Sequence, residues 1–382
     1  MTGGRLDGLT YPLAGIPKAK ARLLAEGREL IDLGAGDPGL PVPDAAVEAL
    51  RRVALDPRMQ GYAFQRGLPE LREEIAAWMK RRYGRSLDPY TEVLPLVGSK
   101  EGIAHLTLAV TEPGDVVLVP DPGFAAYRGG VAMAAARPHA VALTMENRFL
   151  VPPDSIRRAP SPLRLVYLNY PNNPTGASAD LGYLEEVVEA CRERGTVLAY
   201  DNAYSEIAYD GYRPPSLLEV DGALDVGVEF HSFSKSFNMT GWRLGWACGS
   251  AELIGALTRL KMFIDTGAYL GIQAAGAATL RIAEDFLQTN VERLRQRRDA
   301  AVSAFGKIGF DVPIPRATLY LWMPVPSAEP SSAFAARVLE SSGVVLLPGS
   351  ALGAAGEGYV RAAFTVPPKR YALAAERVSA VL

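Results

Sequence analysis

Cysteine is nearly absent from this chain: 382 residues include only Cys191 and Cys248. So wide a separation matches neither a disulfide framework nor a zinc spacing, and a reducing, cytoplasmic setting is the simplest reading. Histidine is scarce as well. His105, His139 and His231 show no paired spacing, which argues against a metal site. Charge of one sign is lacking, since the formal net charge is −2, so nothing marks the chain for nucleic acid or an anionic membrane. No apolar run is long enough to span a bilayer, and the opening MTGGRLDGLTYPL lacks the basic and apolar regions of a secretory signal. Repeats and low-complexity segments are missing too. The glycine-rich run LGAGDPG near Gly34 does not follow a strand with a later acidic partner, so it is no dinucleotide fingerprint.

What remains is an ordinary globular composition, 48% apolar and 21% charged, with length enough for two domains. EVLPLVG, DVVLVP, RLVYLNY, TVLAYDNAY and GVEFHSF read as buried strands, apolar runs rich in Val, Leu and Tyr bounded by turn signals. Between them KEGIAHLTLAV, LGYLEEVVEACRERG and AELIGALTRLKMF carry apolar residues at helical spacing. Alternation of this kind predicts an α/β fold, a mostly parallel sheet covered on both faces. A long helical stretch over about 272–308 follows, and then LYLWMPV, SAFAARVLESSG, VVLLPG and YVRAAFTV read as a smaller α+β domain. The Pro- and Gly-rich run from Gly34 to Pro43 is expected to be a loop between domains.

The run HSFSKSFNMTGWRLGW, His231 to Trp246, concentrates the chemistry. Lys235 stands between serines, with Arg243 further on and Phe233, Phe237, Trp242, Leu244 and Trp246 around it. Burial disfavours an ammonium and so favours the amine needed to form a Schiff base. Hydroxyls and a guanidinium nearby suit a phosphate. Pyridoxal phosphate is the cofactor that asks for both. Asn169, Asp201 and Ser232 close three of the strands, and in parallel sheets ligands bind beyond the carboxyl ends. Asp201 would keep a pyridine nitrogen protonated and Tyr204 would sit near the ring hydroxyl, although an Asp capping a turn is the plainer alternative. NYPNNPTG offers the Asn173 amide, and otherwise is only a turn. GSKEG, opening a helix after a strand, suits a phosphate or makes a plain cap.

Taken together, these residues resemble the class I aminotransferases of the fold-type-I pyridoxal phosphate family, over nearly the whole chain. The resemblance implies a large domain around a mostly parallel seven-stranded sheet at 46–280, a small C-terminal domain at 281–382, and an N-terminal segment, 1–45, packed on the small domain. It implies that Lys235 holds the cofactor covalently, with Asp201 at the ring nitrogen and Asn173 and Tyr204 at the ring hydroxyl. Ser99 and Lys100 (through backbone or side chain), Ser232 and Arg243 would hold the phosphate, and Phe124 would stack on the ring. Gly36, Asn173 and Arg361 would meet the substrate, Arg361 forking onto its α-carboxylate. Tyr62 matches a tyrosine that reaches the partner subunit's site, which implies a homodimer. Within the class, EVLPLVGSKEGIAHL, LNYPNNPTG, AYSEIAYDGYRPPSLLEV and the ID-G pair of FIDTGAY look closest to LL-diaminopimelate aminotransferases. The implied reaction moves an amino group between an amino acid and 2-oxoglutarate. Two loops depart from that pattern: YAFQRG carries Arg66, and Phe124-Ala125-Ala126 stands where a Tyr-Pro pair is usual. Alanine, aspartate, N-succinyl-diaminopimelate, methionine or an aromatic amino acid are alternative donors. A pyridoxal-dependent lyase could use the same lysine, but Arg361 and the whole-chain likeness favour transfer. A regulator with this fold would need a DNA-binding module, and no basic helix-turn-helix stands before Tyr11.

Overall fold

Strand-forming runs become strands wherever two apolar layers are available to cover them. The computed structural model describes residues 4–6, 9, 16–64 and 66–382. Most of the opening run read above for a signal, Tyr11 included, lies outside the described residues, as does Gln65 of the tyrosine loop. Near the start, β1 (Ile31–Asp32) is followed by the strands of the central sheet. These are β2 (Val93–Leu96), β3 (Val116–Asp121), β4 (Arg137–Ala142), β5 (Leu163–Leu168), β6 (Val197–Asp201), β7 (Gly227–Ser232) and β8 (Gly245–Gly249). Their order is β2-β8-β7-β6-β5-β3-β4, parallel except at β8, which runs antiparallel to both of its neighbours.

Side chains alternate between two cores, as the pleat requires. Val166, Leu168, Leu198 and Tyr200 enter one, with the helices Pro69–Tyr83, Leu181–Arg194 and Leu270–Arg281 laid over them. Leu165, Tyr167, Ala199 and Phe230 enter the other, under Ser99–Val110, Ala125–Met133 and Ala251–Lys261. Each Val, Leu or Phe side chain among them contributes roughly 1.5–3 kcal/mol when removed from water. Apolar runs without alternation are therefore what a sheet covered twice demands.

A third core holds the C-terminal region. There β9 (Tyr320–Pro324), β11 (Leu347–Pro348) and β12 (Tyr359–Ala363) form an antiparallel sheet, and β10 (Val344–Val345) pairs in parallel with β1. The stretch over 272–308, expected as one helical run, is two helices, Leu270–Arg281 and Ala283–Lys307, parted at Ile282. The first faces only the large core. The second begins there with Ala283 and Leu287 and continues into the C-terminal core with Leu294, Ala301 and Phe305. No helix among the described residues is long and apolar enough to cross a membrane.

Candidate active site

Topology delivers the polar residues to one edge. β3, β5, β6 and β7 run in parallel, so Phe124, Asn169, Asp201 and Ser232 follow or close them at the same side. β8 runs the other way and begins just after Arg243, so that arginine arrives at this edge as well. β2, antiparallel to β8, ends there and leads through Gly98 into the helix Ser99–Val110. The antiparallel sheet closes the space from the far side with Tyr320 and Arg361. A cavity of about 250 Å³ lies between them.

At one end of the cavity, the first turn of that helix presents Ser99 and Lys100 beside Ser232, Ser234, Thr240 and Arg243. Gly98 has φ +76, ψ 153, and a Cβ there would lie 2.4 Å from Arg243 Nη2. Only glycine lets the guanidinium come so close to the helix start. Arg243 donates to the Thr240 carbonyl at 2.8 Å and to Ser234 Oγ at 3.4 Å. Glu101, one turn in, accepts from the Val97 amide and from the buried Lys261 ammonium, which also bonds Asp265. Glu101, His105 and Asp265 come close enough together for a metal ion, but that ammonium already supplies the positive charge between the two acids.

Asp201 forms the floor. It is buried, its Oδ2 accepts from the Tyr127 hydroxyl at 2.8 Å, and its Oδ1 has no partner among the described residues. Burial pushes its carboxyl up to about 6, against the pull of Tyr127, the Ala203 amide, His231 and Lys235. An orphaned buried carboxylate oxygen is costly unless a donor comes to it.

Lys235 is half-buried, and its Nζ donates to the Gly36 carbonyl. Arg361 is buried. Its Nη1 donates to Asn173 Oδ1 and its Nη2 to the Gly34 carbonyl, both at 2.7 Å, while its Nε has no partner among the described residues. No carboxylate among the described residues pairs with it. A buried guanidinium held only by neutral acceptors attracts an anion, and its fork matches a carboxylate. Since the Asn173 oxygen is engaged, its amide NH2 remains to donate into the cavity.

Of the residues expected at the site, Gly36, Ser99, Lys100, Phe124 and Asn173 line this cavity. So do Asp201, Tyr204, Ser232, Lys235, Arg243 and Arg361. Tyr62 does not: it lies on the surface, tilted against Phe64. Arg66 is likewise outside, donating to the Tyr90 carbonyl. Two tyrosines escaped the sequence reading. Tyr127 stands three residues beyond Phe124 in a motif already singled out, and helical spacing under an Asp-bearing strand end was the signal. Tyr320 bonds Tyr204 hydroxyl to hydroxyl at 2.8 Å, and nothing in LYLWMPV marks it as more than a strand residue.

The donor set fits pyridoxal phosphate: an amine at Lys235, hydroxyls and Arg243 at a helix start, and an unpaired carboxylate oxygen at Asp201 to receive a protonated ring nitrogen. Comparison with known proteins agrees. Residues 28–378 match the family described as aminotransferase class I and II. The LL-diaminopimelate aminotransferase of Desulforudis audaxviator is 46% identical over 97% of this chain and 95% of its own length. That of Moorella thermoacetica is 45% identical over 97% and 96%. Substrate-bound BacF from Bacillus subtilis superposes with a TM-score of 0.95 at 33% identity, covering 100% of this chain and 97% of that one. Aspartate aminotransferase from Thermus thermophilus with maleate gives 0.93 at 30%, covering 100% of both. The chain belongs to the class I and II aminotransferases and is a pyridoxal-phosphate-dependent transaminase with the fold-type-I architecture.

Proposed function

We propose that this transaminase moves an amino group between LL-2,6-diaminopimelate and 2-oxoglutarate in a ping-pong cycle, as the names of its relatives suggest. The observation that supports substrate capture best is Arg361, buried without a counter-charge among the described residues and lining the same cavity as Lys235. When bound, the cofactor supplies an electron sink for the charge left when substrate Cα loses its proton. Arg361 takes the α-carboxylate and fixes the Cα–H bond toward Lys235. Lys235 Nζ, released from the Gly36 carbonyl, removes that proton. Asp201 would hold a positive ring nitrogen, while the Asn173 amide and the Tyr204 phenol would donate to the ring hydroxyl oxygen. Ser99, Lys100, Ser232 and Arg243 would hold the phosphate, and Phe124 would lie against the ring. Gly36, whose missing side chain makes room for the Tyr320 hydroxyl, would meet the substrate through its backbone.

The same reading makes the enzyme a cytoplasmic homodimer in which Tyr62 completes the partner's site, with a large domain at 46–280 and a small one at 281–382. Leu347, Leu352 and Ala125 give the cavity an apolar wall, which favours as a second reading a donor with an apolar side chain, such as alanine or an aromatic amino acid. A half-reaction screen separates the two. The loaded enzyme is mixed with LL-diaminopimelate, glutamate, aspartate, alanine and phenylalanine in turn, and loss of the cofactor's visible absorbance is timed. Diaminopimelate and glutamate should react fastest, and fast alanine or phenylalanine beside slow diaminopimelate would overturn the assignment.

A further inference from the structure

We propose that Tyr320 is a positioning residue of this site, its ring supporting the Arg361 guanidinium and its hydroxyl fixing the Tyr204 phenol. This rests on the roles given above to Arg361 and Tyr204. Tyr320 begins β9, and β12 lays Arg361 alongside it, with Arg361 registered opposite Trp322. The guanidinium carbon lies 4.1 Å from the centroid of the Tyr320 ring. The Tyr320 and Tyr204 rings meet edge to face at 5.6 Å, and their hydroxyls are 2.8 Å apart. On the remaining side is Gly36, where a Cβ would lie 2.2 Å from the Tyr320 oxygen. That hydroxyl is thus enclosed between Tyr204 and the backbone whose carbonyl receives Lys235.

A guanidinium held by two neutral acceptors still needs something to fix its plane. An aromatic face does so without competing for the N–H groups that a carboxylate will use, and a desolvated cation over a ring is strongly held. In this arrangement the Tyr320 hydroxyl, backed by Gly36, is the donor of the pair. Tyr204 then accepts, and its own proton is left to point into the cavity, toward the place expected for the ring hydroxyl. A phenylalanine at 320 would keep the support and lose the orientation. A leucine would lose both.

Three variants test this. Tyr320→Phe should leave KM for both substrates within about twofold, lower kcat about tenfold, and shift the pH midpoint of the bound cofactor's visible absorbance. Tyr320→Leu should in addition raise KM for the amino acid and the 2-oxo acid by about tenfold or more, the worth of a desolvated cation–ring contact. Far-ultraviolet circular dichroism and thermal melting establish that each variant folds. Arg361→Gln provides the control, with a larger rise in KM for both substrates. If Arg361→Gln leaves KM unchanged, the role given to Arg361 fails and the inference with it. If Arg361→Gln raises KM while Tyr320→Leu does not, or if Tyr320→Phe titrates as the parent does, the inference alone is overturned.

Discussion

Asp201 shows how one buried side chain sets a pH dependence. Its carboxyl, ordinarily at 3.8, is carried up to about 6, burial being the largest cause. Between those values the unfolded chain has released the proton while the native chain still holds it. The native state then binds more protons, so stability falls as pH rises through that window. The favourable contribution is complete below about 4 and gone by about 6, and a rise of that size corresponds to about 3 kcal/mol. Urea unfolding of the cofactor-free protein across that window should show the decline, and Asp201→Asn should flatten it by about that amount. An Asn variant with the parent's slope would assign the dependence elsewhere. In the role proposed for Asp201, a protonated ring nitrogen would supply the missing partner once the cofactor binds, so the decline should disappear in the loaded enzyme.

Single elements carry the end of the cavity proposed to hold the phosphate, and Gly98 is where this is most easily tested. Its φ and ψ lie in a region that is essentially reserved for glycine, and a side chain there costs of order 1–3 kcal/mol. A methyl group would also push Arg243 away. Gly98→Ala should therefore weaken binding of pyridoxal phosphate at least tenfold, read by absorbance titration of the cofactor-free protein, while pyridoxal lacking the phosphate binds nearly as before. Equal losses for both would place the defect in the fold instead. The same scale shows what the sequence reveals. Strands β2, β3, β5, β6 and β7 were legible because burial on both faces leaves continuous apolar runs. β4 was not: it lies at the sheet edge with a proline and alternate residues exposed, so its string RPHAVA has no strand signature. β8 begins in the last two residues of the lysine-and-arginine run, and GWACG, with two glycines in five residues, has no strand signature. Motif residues at strand ends were legible because spacing and position coincide. Tyr127 and Tyr320 were not, since each matters through a long-range partner, Asp201 or Tyr204, that no local pattern encodes.

At the scale of the whole molecule, the surface around Tyr62 is the feature least like that of a solitary chain. Tyr62 is 73% exposed and Phe263 is 89% exposed, with Phe64, Met262 and Ile264 also open to solvent. Their loops touch: a Cβ on Gly267 would lie 2.7 Å from the Phe64 carbonyl, and Gln60 donates to the Tyr269 hydroxyl at 3.2 Å. Clustered exposed aromatics mark an interaction surface, and a second copy is the partner that would also place Tyr62 where the family resemblance expects it. Complementation tests this without a dimer structure. Tyr62→Ala and Lys235→Ala should each be nearly inactive alone, because one removes the tyrosine proposed to complete the partner's site and the other the amine. In a twofold dimer, a mixed pair combines the intact Lys235 of one subunit with the intact Tyr62 of the other. Random exchange of subunits, by brief dilution into mild denaturant and return, should restore about a quarter of the parent's activity. If Tyr62 served its own subunit, every site in the mixture would remain defective and no activity would return, however completely the subunits exchanged.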